Sequence, residues 1–111
     1  MPLAQVHGVV LSGVSGAMVQ VEVDVANGLP SVGVVGLPDT SVTEARWRTR
    51  SAITSAGGTW PDRRVTISVS PAEVRKNGAG LDLPIAIGVL AASEQLGDVD
   101  LGSTTFLGEL G

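Results

Sequence analysis

Residues 28–53 read Gly-Leu-Pro-Ser-Val-Gly-Val-Val-Gly-Leu-Pro-Asp-Thr-Ser-Val-Thr-Glu-Ala-Arg-Trp-Arg-Thr-Arg-Ser-Ala-Ile. A break at Asn27-Gly28-Leu29-Pro30 precedes a short apolar run, Val32 to Val35, that reads as a buried strand. Pro38 marks a turn, and Asp39 or Thr40 then caps a helix. Val42, Ala45, Ala52, Ile53 and Ala56 share one stripe of that helix at about 100° per residue, with Thr49 among them. Trp47 falls almost opposite the stripe, with Arg46 and Arg50 on one side of it and Arg48 nearer the other. Gly57-Gly58 ends the helix.

Outward from this stretch the signal is β. Val19, Val21, Val23 and Val25 alternate with Met18, Gln20, Glu22 and Asp24, so one face of that strand is apolar and the other polar. Leu3 to Leu11 alternates in the same way, and Ser12-Gly13-Val14-Ser15-Gly16 turns the chain, which predicts an antiparallel hairpin. On the C-terminal side, Arg63 to Val69 places Val65, Ile67 and Val69 on one face of a fourth strand. Pro71 to Gly80 is a turn-rich linker, and Asp82 reads as the cap of a second helix with Pro84 in its first turn. That helix is apolar almost throughout and is expected to be buried on most sides. Thr104 to Leu110 is a fifth strand. The expected class is α/β (α+β): a mixed sheet of about five strands with two main helices.

A chain of 111 residues forms one domain with one core, and with aromatics at 3% that core is aliphatic. The absence of cysteine removes disulfide and thiolate chemistry. No basic segment followed by an apolar run opens the chain, and the longest apolar run, Leu83 to Ala92, is about half of what a bilayer requires. A cytoplasmic location without membrane contact is the expectation. The net charge of −4 conceals a segregation. Residues 39–76 hold all seven basic side chains against Asp39, Glu44, Asp62 and Glu73, whereas residues 77–111 carry Asp82, Glu94, Asp98, Asp100 and Glu109 and no base. The acidic total argues against a free-standing nucleic-acid binder, but the central third can present a basic face.

An exposed Trp47 beside Arg46 and Arg50 suits a partner groove or a stacked base; a solvated face with Glu44 and Arg48 paired at i, i+4 suits the same residues. Lys76-Asn77-Gly78-Ala79-Gly80 lacks the order of a phosphate loop, because its lysine precedes the glycines and the acid Asp82 stands at the helix start. His7 is the only histidine, and no serine lies between Ser70 and Ser93 to pair with Lys76. Asp98 and Asp100 read as a solvated loop, and neither a metal nor a cofactor site is expected within the chain.

The whole of residues 28–53, with Ser70-Pro71-Ala72-Glu73 and Lys76, Asp82 to Ile87, Leu90 to Ser93 and Phe106 to Leu110, resembles the N-terminal domain of the ComM/YifB family of Mg-chelatase-like AAA+ ATPases. The resemblance implies a ribosomal-protein-S5 domain 2-like fold, shared with the proteolytic domain of Lon. It implies that residues 1–111 are an N-terminal domain, C-terminally incomplete, whose ATPase module with its ATP and Mg lies outside this chain. The implied role is non-catalytic, in ring assembly or DNA engagement during branch migration and natural transformation. The implied partners are the protein's own ATPase module, neighbouring ring subunits and DNA, with a homodimer of the incomplete domain as a further expectation. Candidate contacts are Arg46, Trp47, Arg50, Arg63 and Arg64. Where Lon-like peptidases carry their nucleophile, this chain has Asp82. A degenerate Lon-like peptidase and a stand-alone interaction module are the alternatives. Trp47, Thr49 and Ser68 depart from the family pattern.

Overall fold

In the computed structural model, residues 3–12, 14–37, 39–71, 74, 76 and 80–111 are described, with side chains excepted at 12 and 39–43. The chain runs β1 (Leu3–Ser12), β2 (Ser15–Ala26), β3 (Ser31–Val35), α1 (Asp39–Ser55), β4 (Arg64–Ser70), α2 (Asp82–Ala92) and β5 (Thr105–Phe106). The five strands form one sheet in the order β3-β4-β2-β1-β5. The hairpin is antiparallel, from Leu3 opposite Asp24 to Ser12 opposite Ser15. β4 lies antiparallel to β2, with Val65, Ile67 and Val69 opposite Val25, Val23 and Val21. The two edge strands run parallel to their neighbours, β3 to β4 and β5 to β1.

Alternation decides what this sheet buries. Val19, Val21, Val23 and Val25 all have 2% or less of their surface exposed, and together with Val6, Val65 and Ile67 they form the floor of the core. Each such side chain contributes about 1.5–3 kcal/mol relative to an exposed one. α2 lies across β1 and β2, and α1 packs against α2, so both helices cover the same face of the sheet. Gly88 permits the close approach of α2, since a Cβ there would stand 2.6 Å from Cγ2 of Val23. The opposite face carries Gln5, His7, Gln20, Glu22, Thr66 and Ser68.

α1 ends as its glycines predict. Gly57 takes φ 89°, its N–H donates to the Thr54 carbonyl, and the Gly58 N–H donates to that of Ile53. This pair of reversed bonds closes the last turn. Ala45, Thr49 and Ile53 form the buried stripe, and the Thr49 hydroxyl donates to the Ala45 carbonyl at 2.7 Å, which lets a polar side chain sit fully buried. The capping by Asp39 or Thr40 and the place of Val42 in the stripe lie outside the described side chains, and most of the linker between Pro71 and Gly80 lies outside the described residues.

Four expectations are corrected. β3 is an edge strand whose residues alternate between exposed and half-buried, and Val35 is 62% exposed. Its valines suggested full burial, but burial depends on its place in the strand order. β5 pairs only through Thr105 and Phe106; the chain beyond it runs along the start of α2, where the Gly108 N–H donates to the Gly80 carbonyl and the Leu83 N–H to the Gly108 carbonyl. Ala56 lies beyond α1 and is exposed. Asp82 does not cap α2: Leu81 holds the cap position without a side-chain bond, and the Asp82 carboxylate is engaged elsewhere.

Candidate functional site

α1 presents Arg46, Trp47 and Arg50 on the face turned away from its buried stripe, and Trp47 is 67% exposed. These three side chains line one side of a small cleft, with Val32 of β3 and Trp60 of the α1–β4 loop on the other. Trp60 is half-buried against the core and also lines a wider open groove with Thr59, Pro61, Asp62, Arg63 and Gln95. Its loop is tied to the end of α2. The Thr59 N–H donates to Oε1 of Gln95 at 2.8 Å, and Nε2 of Gln95 donates to the Thr59 carbonyl at 2.7 Å. A paired amide bridge of this kind fixes the loop backbone that carries the indole.

The fold therefore brings Arg46, Trp47 and Arg50 together and joins Arg63 to them through Trp60. It does not bring Arg64 to that cleft. As the first residue of β4, Arg64 has the opposite parity to Val65 and lies with Thr66 and Ser68 on the sheet face without helices. Among the described residues Arg48 pairs with Glu44 at 3.4 Å and with Asp82 at 2.5 Å, and the guanidinium groups of Arg46 and Arg50 take no part in these pairs. Sequence reading missed Trp60. Its signal was an indole in a Thr-Trp-Pro-Asp loop directly after the glycines that end α1.

Arg48 takes a different part from its neighbours. Its Nη2 donates to Oδ1 of Asp82 at 3.1 Å while Nε donates to Oδ2. The hydrogen bond to Asp82 raises the Arg48 pKa above its ordinary value, against a smaller opposing effect of burial. The Leu110 N–H also donates to Oδ2 of Asp82, at 3.2 Å. Asp82 is 2% exposed, and its carboxylate accepts three hydrogen bonds, two from Arg48 and one from the Leu110 N–H. A nucleophile or general base needs an approachable lone pair, and Asp82 has little to offer.

The remaining titratable candidates are dispersed. Lys76 is 6% exposed, and its ammonium donates to the carbonyls of Pro71 and Val74 at 2.8 and 3.0 Å. It lines the same narrow crevice as Asp82, beneath Leu37 and Ala45 of the α1 side. His7 stands on the opposite face of the sheet, between Gln20 and Thr105. No cluster of three or more potential metal ligands occurs among the described residues. Among the described residues no helix is long and apolar enough to cross a membrane.

Over residues 21–111 this α/β chain matches the family described as subunit ChlI of Mg-chelatase. The chain belongs to the ComM/YifB family of Mg-chelatase-like proteins. It is 46% identical over 110 residues to YifB of Salmonella typhimurium and 46% identical to YifB of Escherichia coli. It is 44% identical to the competence protein ComM of Haemophilus influenzae. Each alignment takes in 99% of this chain and 22% of the relative, so the chain spans about a fifth of the length of the relatives it matches.

Proposed function

We propose that this chain is the non-catalytic N-terminal accessory domain of a ComM/YifB-type Mg-chelatase-like ATPase, acting by contact rather than by chemistry. The observation that carries this reading is the α1 face. Trp47 is large, apolar and 67% exposed, between arginines that the ion-pair network leaves free. Exposed Trp and Arg in one patch are the residue types that dominate contact energies when a partner covers them. The engagement of Asp82 with Arg48 and the Leu110 N–H supports the non-catalytic reading over a degenerate Lon-like peptidase.

In this reading the ATPase module, with its ATP and Mg, lies in the part of the protein outside this chain, and the domain contributes to ring assembly or presents DNA to the motor. Arg46, Trp47 and Arg50 form the central contact and Arg63 extends it past Trp60. Arg64 would serve only a partner that wraps onto the other face of the sheet.

The test is the double substitution Arg46→Ala with Arg50→Ala in the full-length protein. Its sedimentation and its binding of a labelled single-stranded oligonucleotide should weaken in at least one of the two assays. The thermal midpoint should stay within a degree or two, since exposed substitutions typically move stability by less than about 0.5 kcal/mol. A loss of stability of the same size as the loss of binding would make these arginines structural.

A further inference from the structure

The asparagines of the chain are Asn27 and Asn77, and glycine follows each of them. Asn77 lies outside the described residues. Asn27 and Gly28 belong to the bend between β2 and β3, residues 27–30, which is exposed throughout. Because β2 and β3 flank β4 on either side, this bend is a strap over the start of β4. β2 ends with Ala26 opposite Arg64, and β3 begins with Ser31 beside the same residue. The crossing is close: a Cβ added at Gly28 would stand 3.6 Å from Cβ of Arg64.

Three features prepare Asn27 for attack by the peptide nitrogen that follows it. Gly28 has no side chain to shield that nitrogen, and its φ of 150° is a conformation that side chains rarely adopt. Among the described residues neither the Asn27 side chain nor the Gly28 N–H has a hydrogen-bond partner, so no internal bond must break before they meet. Arg64 roots a permanent positive charge against the strap. A cation nearby favours both the ionised peptide nitrogen and the oxyanion that its attack creates.

We propose that Asn27-Gly28 is a self-modifying site, at which the folded chain converts Asn27 to aspartate and isoaspartate with the help of the Arg64 charge. The Gly28 nitrogen gives its proton to hydroxide and bonds to Cγ of Asn27. The Cγ–Nδ2 bond then breaks, and Nδ2 leaves as ammonia with a proton taken from water. The cyclic imide that remains adds water at one of its carbonyls. Opening at Cγ gives aspartate; opening at the main-chain carbonyl gives isoaspartate, whose backbone runs through Cβ and Cγ. One water is consumed and one ammonia released, with no oxidant or reductant. Either product sets a carboxylate beside Arg64 and adds one negative charge to the net −4. Isoaspartate also lengthens by one main-chain atom the strap that leads into the edge strand β3. The site goes beyond the accessory-domain reading and stands without it.

The test ages the full-length protein in mildly alkaline buffer, below its unfolding temperature, and follows the peptide that carries residue 27 by mass spectrometry. Protein isoaspartate methyltransferase with a labelled methyl donor is the probe for the rearranged product. Both products should accumulate at residue 27 while the protein stays folded, and faster as pH rises. Arg64→Gln should slow the conversion severalfold, and Arg64→Lys, which keeps the charge, should restore it. Arg64 is exposed, so both variants should fold. A residue-27 peptide that keeps its amide in the folded protein, while a synthetic peptide of residues 20–35 converts in the same buffer, overturns the site. Conversion that begins only once urea unfolds the protein overturns it as well. An equal rate in Arg64→Gln overturns the part given to Arg64.

Discussion

Arg48 and Asp82 are 34 residues apart in sequence and meet through a two-pronged ion pair that joins α1 to the first turn of α2. The same carboxylate receives the Leu110 N–H, so three separate parts of the chain converge on one buried acid. Within an arginine-rich helix one guanidinium holds the fold while its neighbours face solvent. The rotation of the helix decides which: Arg48 flanks the buried Ala45–Thr49 stripe, and its side chain is 24% exposed.

Removing one partner of this pair should cost more than removing both. Arg48→Met leaves the Asp82 charge buried and compensated only by a backbone N–H, and a loss of about 3 kcal/mol is expected by analogy with broken buried pairs. Combining it with Asp82→Leu removes the stranded charge and should recover most of that loss, because matched apolar replacements of buried pairs are often near neutral. Urea unfolding of the two variants decides it. A double variant no more stable than Arg48→Met would mean that the carboxylate is needed chiefly for the Leu110 contact.

Gly88 sets the distance between α2 and the sheet. Its added methyl would meet Val23 at 2.6 Å, inside any real carbon–carbon contact, and Val23 is fully buried with nowhere to move. Gly88→Ala should therefore destabilise by about 1–3 kcal/mol despite the higher helix propensity of alanine. A variant as stable as the parent in thermal unfolding would show that the helix can lift off the sheet without cost.

Much of this was legible in the sequence, for a physical reason. Period-two alternation at Val19 to Val25 and the Gly57-Gly58 stop are local signals, and the structure contains both features. The exposure of Trp47 followed from its angle to the Ala45–Ile53 stripe. What stayed hidden depends on tertiary neighbours. Val32 to Val35 is apolar enough for an inner strand, yet strand order leaves it at an edge. Asp82 stands where a helix cap is common, yet Arg48 claims its carboxylate. The bridge from Gln95 to Thr59 that positions Trp60 spans 36 residues and has no local signature.

Asp100 gives a prediction in pH. Its carboxylate accepts the Ser103 hydroxyl at 2.8 Å and the Gly102 N–H at 3.0 Å, and its pKa is lowered in consequence. A lowered value in the folded state means that folding favours the charged form. The stabilisation is complete above the unfolded value of about 3.9 and is lost as pH falls through the lower folded value. Titration of the side-chain carboxyl by NMR should place Asp100 below that ordinary value, and Ser103→Ala should move it back up. An unchanged titration in Ser103→Ala would transfer the effect to the backbone donor.

The two tryptophans should separate contact from stability. Trp47 is 67% exposed and Trp60 is half-buried against the core, though they line the same cleft. Trp47→Ala removes little that water did not already reach, so unfolding free energy should stay within about 0.5 kcal/mol while partner or DNA binding falls. Trp60→Ala removes an indole packed between the α1–β4 loop and the core, and a loss of about 2–3 kcal/mol is expected, at the low end for buried aromatics because the ring is only partly covered. Iodide should quench the emission of Trp47 strongly and that of Trp60 weakly, which each single variant resolves. Equal destabilisation by both substitutions would make the cleft part of the core, and the arginines beside it would then be solvated flanks of a structural cluster rather than a docking face.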